Sequence, residues 1–165
     1  MHNNGESIAV ERSLNAPVEH VWQAFTDPEL LKRWFAKEAK VVAERGGPYE
    51  LFWELANPER NSTLGCRVTH TEPQRWLAFT WLGPTIYDDP MNEGDPPPRP
   101  TWARVRFERH SEGKTAVRVE LLGWGVGERW EEARAWTERA WGNAFENLAA
   151  FLHGCTLPHP QLVVA

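Results

Sequence analysis

The sequence has 165 residues, a formal net charge of -5 at pH 7 and a hydrophobic fraction of 41%. This length fits one domain with a sizeable core, so we expect a single domain over 1–165, with its core at about 7–153 and a loosely held tail over 154–165. The acidic balance gives no electrostatic reason to expect nucleic acid or an anionic membrane as a partner, and no apolar stretch approaches the roughly 20 residues of a membrane span.

The cysteine and tryptophan content gives further information about the class of protein. The two cysteines, Cys66 and Cys155, lie far apart in the chain and predict no disulfide framework. The first residues, MHNNGESIAV, lack the apolar run of a signal peptide, so a cytoplasmic location is expected. The chain has 10 tryptophans, and each large ring must find a place in or beside the core.

The first third of the chain predicts a strand followed by two short helices. Residues 7–14 alternate between apolar and polar side chains, which is typical of a strand. Asn15 or Ala16 then caps a helix that carries Pro17 in its first turn. Asp27 caps a second helix over 29–34, whose inward residues are Leu30, Leu31 and Trp34.

The middle of the chain predicts a run of antiparallel strands. Gly46 and Gly47 separate two strands over 40–44 and 48–55 and mark a hairpin. Further strands follow over 66–71, 75–82, 101–109 and 115–122, and short turns join most of them. Alternation predicts three apolar faces: Tyr49, Leu51, Trp53 and Leu55; Leu77, Phe79 and Trp81; and Val105 and Phe107 opposite Val117, Val119 and Leu121.

A proline-rich, acidic segment over 83–100 interrupts these strands. Its prolines prevent a strand or helix of any length, and a loop this long is either functional, as a lid, or simply mobile.

The last long element is a helix over 128–153. Its core-facing stripe is formed by Trp130, Ala133, Thr137, Trp141, Ala144, Leu148 and Phe151. Gly142 is unusual there because a helical glycine costs about 1 kcal/mol relative to alanine. We interpret it as a sign of close approach to the sheet.

Several short motifs resemble those of a known family. They are NAPVEHVW over 15–22, TDPELLKRWF over 26–35, the glycine pair at 46 and 47, Glu72-Pro73, and FTW over 79–81. Together with the order strand, two helices, further strands and long helix, they resemble the AHSA-type branch of the START-like superfamily, which is named for activators of a heat-shock chaperone ATPase.

The resemblance implies an α+β helix-grip fold, in which a curved antiparallel sheet of about six or seven strands surrounds the C-terminal helix. It also implies a cavity between sheet and helix that holds a hydrophobic, aromatic or polyketide-like molecule. The candidate ligand-binding residues are Trp34, Trp53, Phe79, Trp81, Trp102, Phe107, Leu121, Trp124, Trp130 and Trp141. The alternative for each ring is that it simply fills the core.

Signals for catalysis and metal binding are weak. The histidines are scattered, and His153, Cys155 and His159 have irregular spacing without a fourth ligand, so no metal or cofactor is expected. The predicted inward faces carry no acid-base pair, which favours a binding protein over an enzyme. A protein-interaction domain that acts on a chaperone and a cyclase- or hydrolase-like enzyme remain alternatives, and the chain is expected to be a monomer or homodimer.

Overall fold

The computed structural model describes residues 7–59, 62–82 and 101–154. The segment 83–100, predicted to be a lid or a mobile loop, lies outside the described residues, as does the tail from 155 onward. Within the described ranges, no helix is long and apolar enough to cross a membrane.

Seven strands are described, and five of them form one antiparallel sheet in the order β1-β7-β6-β5-β4. These five are β1 (Ile8–Leu14), β4 (Val68–Glu72), β5 (Trp76–Trp81), β6 (Thr101–Ser111) and β7 (Lys114–Leu122). The other two, β2 (Glu38–Val41) and β3 (Tyr49–Phe52), pair in a separate antiparallel hairpin. The predicted succession of antiparallel strands is confirmed.

The hairpin is connected to the sheet by backbone hydrogen bonds. The Tyr49 amide donates to the Cys66 carbonyl at 2.9 Å, and the Thr63 amide donates to the Leu51 carbonyl at 2.9 Å. Because residues 62–67 lead directly into β4, β3 lies alongside the edge of the five-stranded sheet. The concave surface therefore extends from β1 to β2.

The strand register places the predicted faces as expected. Val105 pairs with Val119 and Phe107 with Val117 across β6 and β7. All four side chains are buried, whereas Arg106, between Val105 and Phe107, is exposed. One face of the sheet therefore forms the core and the other is charged. The face predicted for Tyr49, Leu51, Trp53 and Leu55 differs, because β3 ends at Phe52 and Leu55 is 59% exposed instead of sharing the face of Tyr49.

Two short helices, α1 (Val18–Thr26) and α2 (Pro28–Trp34), follow β1. The Asp27 side chain caps α2 as predicted by accepting from the Glu29 amide at 2.9 Å. The predicted cap of α1 is wrong, because Pro17 occupies that position rather than Asn15 or Ala16. Its ψ of 150° is extended, and its carbonyl already accepts from the Val21 amide.

The long helix α3 (Glu128–Leu152) crosses the concave face. Its buried residues, which face the core, are Ala133, Thr137, Ala140, Trp141, Ala144, Phe145 and Leu148. Our interpretation of Gly142 is wrong, since a Cβ added there would meet no atom within 4 Å. At the end of the helix, the Nε2 of His153 accepts a hydrogen bond from the Asn15 amide at 3.2 Å, which ties α3 to the entry of α1.

Candidate ligand site between the sheet and the long helix

Aromatic rings from α3 and from the sheet contact each other in the space between these elements. The backbone of α3 approaches β1, α1 and α2 more closely than it approaches the central strands. Large side chains bridge the remaining distance, and the ring of Trp81 on β5 lies 5.2 Å from the ring of Trp141 on α3. The predicted convergence of aromatic residues from sheet and helix is therefore present.

We call the rings of Trp34, Phe35, Trp53, Trp81 and Trp141 the aromatic layer. Phe35 is its centre, although the sequence did not predict this. Its fully buried ring stacks on Trp34 at 4.7 Å and lies 4.9 Å from Trp141. It also lies 5.6 Å from Trp53 and 6.4 Å from Trp81. Offset and edge contacts in this range are favourable for aromatic pairs. Phe35 therefore contacts rings from α2, α3, β5 and the segment after β3, and so connects the helices with the strands.

Further rings extend the layer in two directions. Phe25 on α1 contacts Trp34 at 5.0 Å and Phe107 at 5.4 Å. On the opposite side, Phe79 lies 6.1 Å from Trp81 and stacks on Tyr49 at 3.8 Å. Six of the ten candidate residues thus belong to one connected network: Trp34, Trp53, Phe79, Trp81, Phe107 and Trp141.

The other four candidates occupy different places. Trp124 and Trp130 contact each other at 5.4 Å, and the Trp124 Nε1 donates to the Trp130 carbonyl at 3.0 Å. Leu121 is buried on β7 beside Ala103. Trp102 precedes Ala103 on β6 and so lies on the charged face of the sheet, apart from the aromatic layer.

Most polar atoms of the layer have backbone partners. The Trp34 Nε1 donates to the Ala24 carbonyl at 2.8 Å, and the Trp53 Nε1 donates to the Phe35 carbonyl at 2.6 Å. The Tyr49 hydroxyl donates to the Phe25 carbonyl at 2.7 Å. Burial raises the pKa of Tyr49 well above its ordinary value, so the phenol remains neutral. These hydrogen bonds fix the orientations of the Trp34, Trp53 and Tyr49 rings.

Two polar groups on the inner face of α3 lack such partners. The indole Nε1 of Trp141 and the hydroxyl of Thr137 are buried, and neither has a hydrogen-bond partner within the described part of the chain. Both side chains are only 1% exposed. They are one helical turn apart, so they lie on the same face.

The buried interior offers little for acid-base chemistry. Across residues 7–59, 62–82 and 101–154, the buried polar residues are serine and threonine, at positions 62, 63, 101, 115 and 137. Cys66 is also buried, and burial raises its pKa to about 11, so its thiol stays protonated and unreactive near neutral pH. The described residues contain no group of three side chains suited to hold a metal ion. Cys155 and His159 lie outside them.

The opposite face of the sheet carries a row of ion pairs. Arg104 lies 3.1 Å from Glu120, which lies 3.5 Å from Arg118, and Arg118 lies 3.1 Å from Glu11. The Arg104 guanidinium also lies 5.4 Å from the centre of the half-buried Trp76 ring. We call these five residues the outer charged face.

Comparison with known proteins gives a family match over most of the chain. The family model described as Activator of Hsp90 ATPase homolog 1-like protein matches residues 15–153. Among curated protein sequences, none matches the chain.

Solved structures share the fold at low sequence identity. The protein MLL2253 from Mesorhizobium loti superposes with a TM-score of 0.71 at 21% identity, covering 92% of this chain and 100% of its own. CalU16 from Micromonospora echinospora superposes with a TM-score of 0.64 at 22% identity, covering 93% of this chain and 78% of its own. The AHSA1 protein SPO3351 from Silicibacter pomeroyi superposes with a TM-score of 0.61 at 17% identity, covering 90% of this chain and 98% of its own. The helix-grip fold predicted from the sequence is confirmed.

Proposed function

Because the chain belongs to the Activator of Hsp90 ATPase homolog 1-like family, we propose that it uses the space between sheet and long helix to bind a hydrophobic small molecule of aromatic or polyketide-like character. The observation that carries this proposal is the aromatic layer centred on Phe35, which separates α3 from the central strands. Small-molecule sites are mostly apolar, with a few polar groups that fix orientation. The indole of Trp141 and the hydroxyl of Thr137 are polar groups of that kind.

The test is a thermal-shift and fluorescence titration with a panel of apolar aromatic compounds. A ligand at 100 times its dissociation constant adds about 2.7 kcal/mol of stability. At roughly 2 to 4 °C per kcal/mol for a domain of this size, the melting temperature should rise by about 5 to 11 °C. Tryptophan emission should be quenched over the same concentration range.

Matched variants locate the site. Trp81→Leu alters a ring of the aromatic layer and should weaken binding, whereas Trp76→Leu alters a tryptophan on the outer charged face and should leave it unchanged. If no compound in the panel changes either signal in the wild-type protein, the proposal fails.

A second candidate function, action on a chaperone, is supported by the outer charged face. A protein partner needs an exposed patch outside the ligand site, and this face presents paired charges around the half-buried ring of Trp76. The name of the matching family suggests the Hsp90 ATPase as the activity that such contact would change.

This candidate predicts that the purified protein stimulates the ATPase of an Hsp90 chaperone. Reversal of the charge in Arg118→Glu should reduce the stimulation, while Trp81→Leu should not. An ATPase rate that the wild-type protein leaves unchanged would contradict this candidate without affecting the first.

A further inference from the structure

Unpartnered polar atoms are concentrated on one stretch of α3. Among the described residues, five buried side-chain nitrogen or oxygen atoms lack a hydrogen-bond partner, and three of them belong to Trp136, Thr137 and Trp141. The other two belong to Thr71 and Arg104, on strands of the sheet. Buried polar groups in native proteins are nearly always paired, so such a cluster needs a physical explanation.

The neighbouring residues make the missing bonds more notable. The indoles of Trp34 and Trp53 both donate to backbone carbonyls, so this fold does provide partners for buried indoles. A helical threonine can donate to the carbonyl four residues earlier, yet the Thr137 hydroxyl makes no such bond. Thr137 and Trp141 therefore differ from these two indoles in having no partner within the described part of the chain.

Three of the buried side chains near the two groups on α3 are small. Ala133, Ala140 and Ala144 are buried on the same side of α3 as Thr137 and Trp141. The methyl groups of these alanines cannot accept a hydrogen bond, and no described backbone carbonyl accepts one from Thr137 Oγ1 or Trp141 Nε1. The partner is more easily supplied by a bound molecule.

Trp141 and Thr137 also define the chemistry of that partner. An indole N–H is only a donor, and a hydroxyl can donate as well. A carbonyl oxygen has two lone pairs and can accept from both groups when they lie one helical turn apart. We infer that the ligand is an apolar ring compound with a carbonyl oxygen, of the ketone or quinone type, which accepts from Trp141 Nε1 and Thr137 Oγ1. This inference rests on the proposed function.

Matched probes separate the carbonyl from the rest of the molecule. Binding of 9-fluorenone and fluorene, and of 1-indanone and indane, is measured by equilibrium dialysis with the full chain. Each pair has the same ring skeleton and differs in one carbonyl group. The ketone should bind roughly tenfold more tightly than the hydrocarbon, a difference of about 1.4 kcal/mol.

Threonine-to-valine variants provide the decisive comparison. Thr137→Val removes the hydroxyl with little change of shape and should reduce the ketone preference several-fold, with the melting temperature unchanged or raised. The Thr115 hydroxyl is equally buried but donates to the Ala16 carbonyl at 2.8 Å. Thr115→Val should therefore lower the melting temperature and keep the ketone preference. In the double variant Thr137→Val with Trp141→Phe, the affinities for the ketone and for the hydrocarbon should lie within about twofold of each other.

The outcomes distinguish the two proposals. Equal binding of ketone and hydrocarbon to the wild-type protein would overturn the carbonyl inference and leave the proposed function standing. A ketone preference that survives in the double variant would also overturn it, because the acceptor would then lie elsewhere. Failure of all probes to bind would count against both proposals.

Discussion

Replacing Phe35 by alanine tests whether this ring supports the whole aromatic layer. Its side chain is fully buried and contacts the rings of Trp34, Trp53, Trp81 and Trp141 at 4.7 to 6.4 Å. A buried Phe→Ala change costs about 3 to 5 kcal/mol because the neighbours only partly fill the cavity. Each aromatic pair adds about 0.5 to 1.5 kcal/mol beyond burial, so we expect a loss near the upper end of that range.

The loss is measured by urea and thermal unfolding. At roughly 2 to 4 °C per kcal/mol, a destabilisation of about 5 kcal/mol lowers the melting temperature by about 10 to 20 °C. Phe35→Leu should lose much less, since it retains most of the buried volume. Should Phe35→Ala prove too unstable to purify, the comparison of Phe35→Leu with the wild type still measures the contribution of the ring.

Phe151→Ala is the matched control. Phe151 lies near the end of α3, is only half-buried, and has the Arg33 guanidinium 6.0 Å from its ring centre. Its loss should cost less than half as much as that of Phe35. A cost below about 2 kcal/mol for Phe35→Ala, or equal costs for the two variants, would refute the central role of Phe35.

Two further predictions concern local features. Gly142→Ala should stabilise the protein by about 1 kcal/mol in urea unfolding, because the added methyl meets no neighbour. Gly47→Ala should destabilise it, because the added Cβ would clash with the Val42 carbonyl oxygen. Burial raises the pKa of Cys66 from 9.0 to about 11, so the folded protein keeps a proton that the unfolded chain loses. Stability should therefore fall as pH rises from 9 to 11, by up to about 1.4 kcal/mol per pH unit, and Cys66→Ala should reduce that slope; an unchanged slope would contradict the assignment.

The sequence was most informative where a periodic pattern continued over many residues. The alternation around Val105 and Phe107 predicted the buried face of the sheet, and the three- and four-residue spacing from Ala133 to Leu148 predicted the buried face of α3. In both places the period of the backbone fixes which side chains share a face. This periodicity is recognisable in the sequence without knowledge of tertiary contacts.

The remaining features depend on contacts that have no sequence period. Phe35 directly follows α2, so no helical stripe predicted its central position. Leu55 is exposed because β3 ends at Phe52 and alternation does not continue past the end of a strand. Trp102 could have been placed correctly, since alternation from Ala103 and Val105 puts it on the opposite face. The unpaired state of Thr137 could not be predicted, because hydrogen bonding depends on the neighbours in three dimensions.

The central claim is that a ligand binds in the aromatic layer, and the most direct measurement is an NMR titration that follows the indole N–H resonances of the ten tryptophans. With 9-fluorenone as the probe, the resonances of Trp53, Trp81 and Trp141 should shift together and saturate at one concentration. Trp76, on the outer charged face, should not move. Shifts confined to Trp76, or no shift at saturating probe, would contradict ligand binding between the sheet and the long helix.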